Sequence, residues 1–552
     1  MTFGSRNSAI LRTVSHAALA LGWLSGAASA ETYTASNFGQ LSGSITAANG
    51  NSDASSTIVL TGSFVTSGVL AVPTKPITID TQGFTLFGAP NSGVQFSGAG
   101  AVRTLVGTFQ GSGGGTSGAA LQLRNGASVT NMGMVQGGIT ASGGGGPGVD
   151  FGGPGAAVTL TNHGTIRGGA GTSGGAGILV RASTTGSNLI VNSGLIEGTN
   201  AAAIWTNSAT ISLNIVNSGT IRAGAGQNAI GWQTGVTPTT GSLALELQAG
   251  SIIEGNVVAN AAGTSDVLRL SGASNWTLDG GLGSASQYRN FDKLEKTGAS
   301  TWTISGSGDF SGATSITEGS LIVNGSLAGS AVAVASGARL GGSGTVGALT
   351  LASGSRVTPG NSIGTLTVNG AYVQNAGAVY EVEIDPRTTT SDRIQVNGTA
   401  TLASGATISV VNSTGAAFVA GQRFTILTST GLTGTYGNSD LALTPFLSLR
   451  NGTDATNAWL MVVRTTTAGG IGGTGNEQQV GNAVDSLPAG NAVQNGVYNQ
   501  PTVEAARGAL GQLAGEIHAS ARTVLVDESW HLRNAVNDRL RTAFGAVGSA
   551  PM

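Results

Sequence analysis

The chain contains no cysteine, so disulfide staples and thiolate-ligated metal sites are excluded. Charge is scarce as well: 24 Lys+Arg and 26 Asp+Glu stand among 552 residues, where about a quarter of a soluble globular domain is charged. A net charge of −2 provides no basic face to displace counterions, which excludes a nucleic-acid binder. Twelve prolines without glycine at every third position exclude collagen. A hydrophobic content of 40% excludes an intrinsically disordered chain. No run of about 18 apolar residues exists to form a membrane-spanning helix. What the chain has in excess is glycine, at 92 positions, together with Ser, Thr, Asn, Ala and Val. That is the composition of short strands joined by many turns.

The N-terminus reads as an address. Arg6 and Arg12 precede the apolar stretch from Ala17 to Leu24, and Ala28-Ser29-Ala30 follows as a small-residue cleavage site. Residues 1–30 are therefore expected to be a secretory signal cleaved after Ala30. The absence of cysteine suits a chain that passes unfolded through an oxidising periplasm.

A short phrase then recurs: Asn131-Met-Gly-Met-Val-Gln-Gly, Asn162-His-Gly-Thr-Ile-Arg-Gly, Asn192-Ser-Gly-Leu-Ile-Glu-Gly, Asn217-Ser-Gly-Thr-Ile-Arg-Ala-Gly and Gln248-Ala-Gly-Ser-Ile-Ile-Glu-Gly. Its spacing is nearly constant, with the step from Asn192 to Asn217 the shortest. Each phrase places an Asn and a Gly, read as a turn pair tolerant of positive φ, before a short strand with an inward Val or Ile. A period of about 30 residues suits one coil of three short strands and three corners, and stacked coils bury their apolar faces only against neighbours. The expected fold is all-β, a right-handed parallel β-helix with coils spaced by about 4.8 Å.

From Leu294 the pattern is more specific: Leu294-Glu-Lys-Thr-Gly-Ala-Ser-Thr-Trp-Thr-Ile-Ser-Gly, Phe310-Ser-Gly-Ala-Thr-Ser-Ile and Glu318-Gly-Ser-Leu-Ile-Val-Asn-Gly. This stretch resembles the passenger-associated transport repeat, or autotransporter-associated β-strand repeat, of Gram-negative autotransporters. The resemblance continues through Thr358-Pro-Gly-Asn-Ser-Ile-Gly, Tyr380-Glu-Val-Glu-Ile-Asp, Ser391-Asp-Arg-Ile and Gly421-Gln-Arg-Phe-Thr-Ile-Leu. It implies a type V secretion passenger that folds from its C-terminal end, with residues 290–465 as nucleus and Trp302, Phe310, Phe424 and Trp459 as aromatic anchors.

Residues 31–290 are thus read as an N-terminal β-helix passenger, 291–465 as its C-terminal, autochaperone-like part, and 466–501 as a flexible linker. Ala506, Leu510, Leu513, Ile517, Ala521, Val524, Leu525, Leu532, Val536, Leu540 and Phe544 recur with helical spacing, so 502–545 is expected to be one amphipathic helix. It is similar to the autotransporter helix that joins passenger to barrel. The resemblance implies an outer-membrane barrel next, which the short stretch from Thr542 to Met552 cannot supply, so 546–552 is read as a tail.

Candidate chemistry is sparse. His163-Gly-Thr matches the histidine motif of subtilisin-like proteases, but His163 fills the slot held by Met132, Ser193, Ser218 and Ala249 in the sister phrases. No Gly-Thr-Ser-Met-Ala nucleophile segment is present, and Asp150 is the only carboxylate between residues 81 and 196. Gly145-Gly-Pro-Gly-Val-Asp-Phe resembles one copy of a calcium nonapeptide, with Gly152 where a large apolar residue belongs, and a β-roll site needs consecutive copies. Glu381, Glu383 and Asp385 alternate on one strand and are expected on one face, neighbours about 6.8 Å apart. That suits paired-acid or hard-metal chemistry, but Arg387 and Arg393 nearby favour a charge-balanced, solvated strand face.

The reading is therefore a non-enzymatic surface or secreted passenger with no catalytic, cofactor or metal residues, serving adhesion or self-association. Its partners are the barrel translocator and assembly machinery during export, then glycans, matrix or further copies of itself, and no nucleic acid. The competing reading is a passenger enzyme, esterase or carbohydrate-active, with an unrecognised site.

Overall fold

The structure, a computed structural model, describes residues 30–545 except 114–117, 140–142, 153–154, 172, 182–183, 209, 233–239, 264 and 439. The expected signal (1–30, except residue 30) and the tail at 546–552 lie outside the described residues. Among the described residues are 49 strands, mostly in parallel sheets, and a cluster of helices near the C-terminus. This arrangement is consistent with a β-helix-like solenoid.

The repeated phrases set the register. Asn131 pairs with Asn162, Asn162 with Asn192 and Asn192 with Asn217, all in parallel strands. The second strand of each phrase stacks likewise, Met134–Gln136 on Thr165–Arg167 and that on Leu195–Glu197. Val135, Ile166, Ile196 and Ile221 are buried in one inward column, so each coil seals the next.

The phrase glycines and asparagines act differently from the turn pair read from sequence. A β-carbon at Gly133, Gly164, Gly194 or Gly219 would overlap the backbone of the preceding coil, at Gly107, Gly133, Gly164 and Gly194 respectively. Close stacking, not positive φ, demands glycine there. The asparagines are not at positive φ either; Asn131, Asn162, Asn192 and Asn217 are fully buried. Their side-chain amides join head to tail at 2.8 Å per step, and Asn217 ends the ladder on Ser251 Oγ at 2.6 Å. Buried amides are tolerable because each Nδ2 also reaches a main-chain carbonyl of its own coil.

Near residue 276 the cross-section changes. A second sheet starts with Trp276–Leu278 and stacks Trp276, Trp302, Leu321, Leu340, Val357 and Tyr380 in register. The coils are shorter here, so that Arg339 already finds its parallel partner at Arg356. Trp302 is sealed, with its indole N–H donated to Ser271 O at 2.9 Å, and Phe310 and Phe424 are buried too; Trp459 is half-buried under the Arg423 guanidinium. Lys296 is fully buried, and its Nζ donates to the carbonyls of Thr297, Gly298 and Glu318 at 2.8, 2.7 and 3.1 Å. The ladder ends in antiparallel strands, Arg423–Thr428 and Leu447–Thr453 flanking Asn457–Arg464.

Three features differ from the sequence expectation. Helix α1 (Phe38–Gly50) interrupts the all-β N-terminal region; Asn37 caps it and Leu41, Ile45 and Ala48 are buried. Residues 466–501 are not a flexible linker but fold as α2 (Ala468–Ile471), α3 (Gly475–Asp485) and α4 (Ala492–Tyr498). Thr474 and Glu477 form a capping box at α3, Asp485 accepts the amides of Ala468 and Gly469, and Tyr498 stacks on Phe446 at 5.3 Å. The single helix expected over 502–545 is two, α5 (Val503–Leu513) and α6 (Glu516–Ala543), because Gly515 adopts φ +69 between them. Along α6, Leu525 and Leu532 are exposed, as is Phe544 at its C-cap.

Candidate functional site

The carboxylate strand Val379–Asp385 does not hold its three acids together. Glu381 and Glu383 point outward, but Asp385 is buried and belongs to Arg387, whose Nη2 and Nε donate to it at 3.0 and 3.1 Å. The Arg387 bonds hold Asp385 down to about 2. Glu381 is balanced by Arg339 and Arg356 from stacked coils, each at 3.5 Å, and not by Arg393. The acid that joins Glu383 instead is Asp392. Its two oxygens accept the amides of Gly364 and Glu383 at 2.8 Å each, and burial, reinforced by Glu383 and Glu381, pushes it up to about 7. A cleft of about 310 Å³ lies over Arg339, Thr358, Glu381, Glu383 and Asp392. With both oxygens committed to main-chain amides, Asp392 braces the strand. The sequence segment Ser391-Asp-Arg-Ile carried it without any sign of burial, since that depends on the return strand at Thr390–Ser391. Among the described residues no group of three His, Cys, Asp or Glu is arranged to hold a metal ion.

His163 meets a hydroxyl on the next coil: Nδ1 lies 2.6 Å from Ser193 Oγ. Such a contact can polarise a serine. However, the amides of His163 and Ser193 donate to Asn131 O and Asn162 O at 2.8 Å, and that of Gly194 to Asn162 O at 3.2 Å. The coil ladder thus consumes the donors that an oxyanion would need. Asp150 is buried and receives Arg181 Nε at 2.9 Å and Gln122 Nε2 at 3.4 Å; burial pushes it up against the pull of Arg181. In the nonapeptide-like segment, then, the carboxylate serves an ion pair between coils. Sequence reading also missed an outward charge ladder in which Arg167, Glu197, Arg222 and Glu254 alternate in sign from coil to coil. Its signal was the alternating Arg and Glu at one position of the phrases.

A cleft of about 630 Å³ opens where the second sheet begins. Trp276 is in register with the sealed Trp302 yet stays 38% exposed, because among the described residues its strand is the outermost of that sheet and pairs only with Thr301–Ile304. Its indole N–H donates to Ser251 O at 3.3 Å and fixes the ring. Asn275, Thr277, Asp279, Thr301 and Thr303 surround it, and Ile252 and Leu247 add apolar floor. Asp279 Oδ1 receives Ser305 Oγ at 2.6 Å.

A family model described as Passenger-associated-transport-repeat matches residues 294–323. Those residues build the successive rungs of both sheets, from Lys293–Lys296 to Ser320–Val323. The match indicates an autotransporter passenger domain and, with it, type V secretion, a translocator partner in export, and a destination at the cell surface or beyond it. No curated protein matches the chain. No helix among the described residues is long and apolar enough to cross a membrane, which says nothing of a β-barrel.

Proposed function

We propose that the chain is a right-handed parallel β-helical passenger, led into the periplasm by residues 1–30, carried through the outer membrane by a barrel translocator with the assembly machinery, and active there by contact and not by catalysis. Adhesion or self-association is the function. The observation that carries this reading is the passenger repeat set within an unbroken ladder along which Arg167, Glu197, Arg222 and Glu254, and then Arg269 and Glu295, pair between coils. Such a face supplies many weak polar contacts repeated along the stack, the condition under which multivalency gives affinity. A second reading, a passenger esterase, draws on the His163–Ser193 contact.

The test displays the full chain on a barrel and measures cell attachment and aggregation, alongside ester and glycan hydrolysis by the purified chain. Attachment or aggregation without turnover is expected. Turnover abolished by Ser193→Ala or Glu383→Gln would replace the contact reading with the enzymatic one.

A further inference from the structure

We propose that the cleft at Trp276 is a binding site for a neutral oligosaccharide, with the indole as stacking platform; this deepens the contact reading and rests on it. The first argument is the exposure of the tryptophan. Five coils of the second sheet seal their inward column, whereas Trp276 sits at that sheet's free edge with its ring held by Ser251 O and a surface left open. Aromatic rings that are apolar in body and fixed by a polar tip suit ligands that are themselves half apolar. A pyranose is such a ligand, having one face of C–H groups and a rim of hydroxyls.

The second argument is the lining. Thr277, Thr301 and Thr303 are among the residues that line the cleft, and among the described residues none of their hydroxyls has a hydrogen-bond partner. Asn275, which also lines the cleft, uses its Oδ1 to accept Thr301 N at 2.8 Å, and its Nδ2 has no hydrogen-bond partner among the described residues. A few polar groups converging around an apolar surface, in a volume of about 630 Å³, is the usual make-up of a small-ligand site.

The third argument is charge. Among the described residues no Lys or Arg lines the cleft, so an anionic sugar, sulfate or phosphate finds no counter-charge there. The one acid, Asp279, is engaged by Ser305, and a single open aromatic does not make the cage that a quaternary ammonium requires. The threonine and asparagine rim likewise disfavours an acyl chain. A neutral, hydroxylated ligand remains.

The experiment titrates the purified full chain with hexasaccharides of β-1,4-glucose, α-1,4-glucose, β-1,4-mannose and β-1,4-N-acetylglucosamine, with the galacturonate hexasaccharide as anionic control, read by saturation-transfer NMR and tryptophan fluorescence. At least one neutral hexasaccharide is expected to bind with Kd of ~1 mM or tighter. Trp276→Ala should weaken it about tenfold or more and Trp276→Phe less, while Thr303→Val, which keeps the strand, should weaken it several-fold; each ~1.4 kcal/mol is a factor of ten. Trp530→Ala, on exposed α6, should leave binding unchanged. The proposal is overturned if no neutral hexasaccharide binds, if galacturonate binds as well as they do, or if Trp276→Ala and Thr303→Val both leave binding intact. Cell attachment by an unaltered chain that binds none of the neutral hexasaccharides would sink the cleft but leave the contact reading standing; sugar turnover by the unaltered chain would sink the contact reading itself.

Discussion

Replacing Asn162 by alanine removes the centre of the buried amide ladder. Four hydrogen bonds are lost: Nδ2 to Asn192 Oδ1 at 2.8 Å, to Gly164 O and Leu195 O at 3.1 Å, and Asn131 Nδ2 to its Oδ1 at 2.8 Å. Because Nδ2 shares two N–H groups among its three acceptors, at about 1 kcal/mol net for each bond the loss is about 3–4 kcal/mol, and Asn192 Oδ1, buried and deprived of its donor, prevents easy relaxation. Asn217→Ala should cost less, about 2–3 kcal/mol, because it makes three bonds and its terminal partner Ser251 is only half-buried, so water can replace it. Asn162→Asp is nearly isosteric but sets an acceptor against the acceptor of Asn192. It should be worse than alanine at neutral pH and recover on acidification, once the carboxyl can donate. Stacked coils open locally, so the fitting assay is native-state hydrogen exchange over the coils containing residues 128–136, 159–167 and 187–197. A loss of ~3–4 kcal/mol corresponds to exchange through opening that is faster by about a hundredfold to nearly a thousandfold. Loss of protection below about tenfold (~1.4 kcal/mol) would refute the claim that the ladder stabilises the stack.

Two further outcomes follow from the buried ionisable groups. Lys296→Met strands the carbonyls of Thr297, Gly298 and Glu318, and hydrogen exchange in residues 293–323 should show a local loss of about 3 kcal/mol or more; an unchanged pattern would mean that water serves these carbonyls equally well. Asp392 is raised from 3.8 to about 7, and Asp266, whose Oδ2 is buried without a partner, to about 6. For a carboxyl raised in the fold the added stability is full below the unfolded value and is lost as pH rises through the folded one. Thermal unfolding should therefore occur at higher temperature near pH 5 than at pH 8, and Asp392→Asn should flatten that difference; a variant as pH-sensitive as the parent would refute the assignment to Asp392.

Much of the stacking was legible from spacing alone. The regular recurrence of the phrases places identical asparagines in register, since in a coil structure sequence period and ladder partner are the same quantity. The passenger repeat was legible because its side-chain pattern is long and ordered. The asparagine and glycine roles were misread because a turn and a tight stack select the same two residues for different reasons. The helices at 468–498 were hidden under a glycine-rich composition, although Thr474 and Glu477 spelled a capping box. Asp385 and Asp392 exchanged roles because two-residue alternation describes a flat strand, and the return strand at Thr390–Ser391 buries one end of it.

By itself, then, the sequence determined which residues recur, hence the coils, their inward columns and the passenger class, because stacking energy is nearest-neighbour and periodic. The tertiary structure alone decided what happens where periodicity breaks. At residue 276 one sheet begins, its first strand has a partner on one side only among the described residues, and a tryptophan in register with the buried Trp302 is left open to solvent. No local rule reports that, because exposure at an edge depends on the coil that is missing beside it.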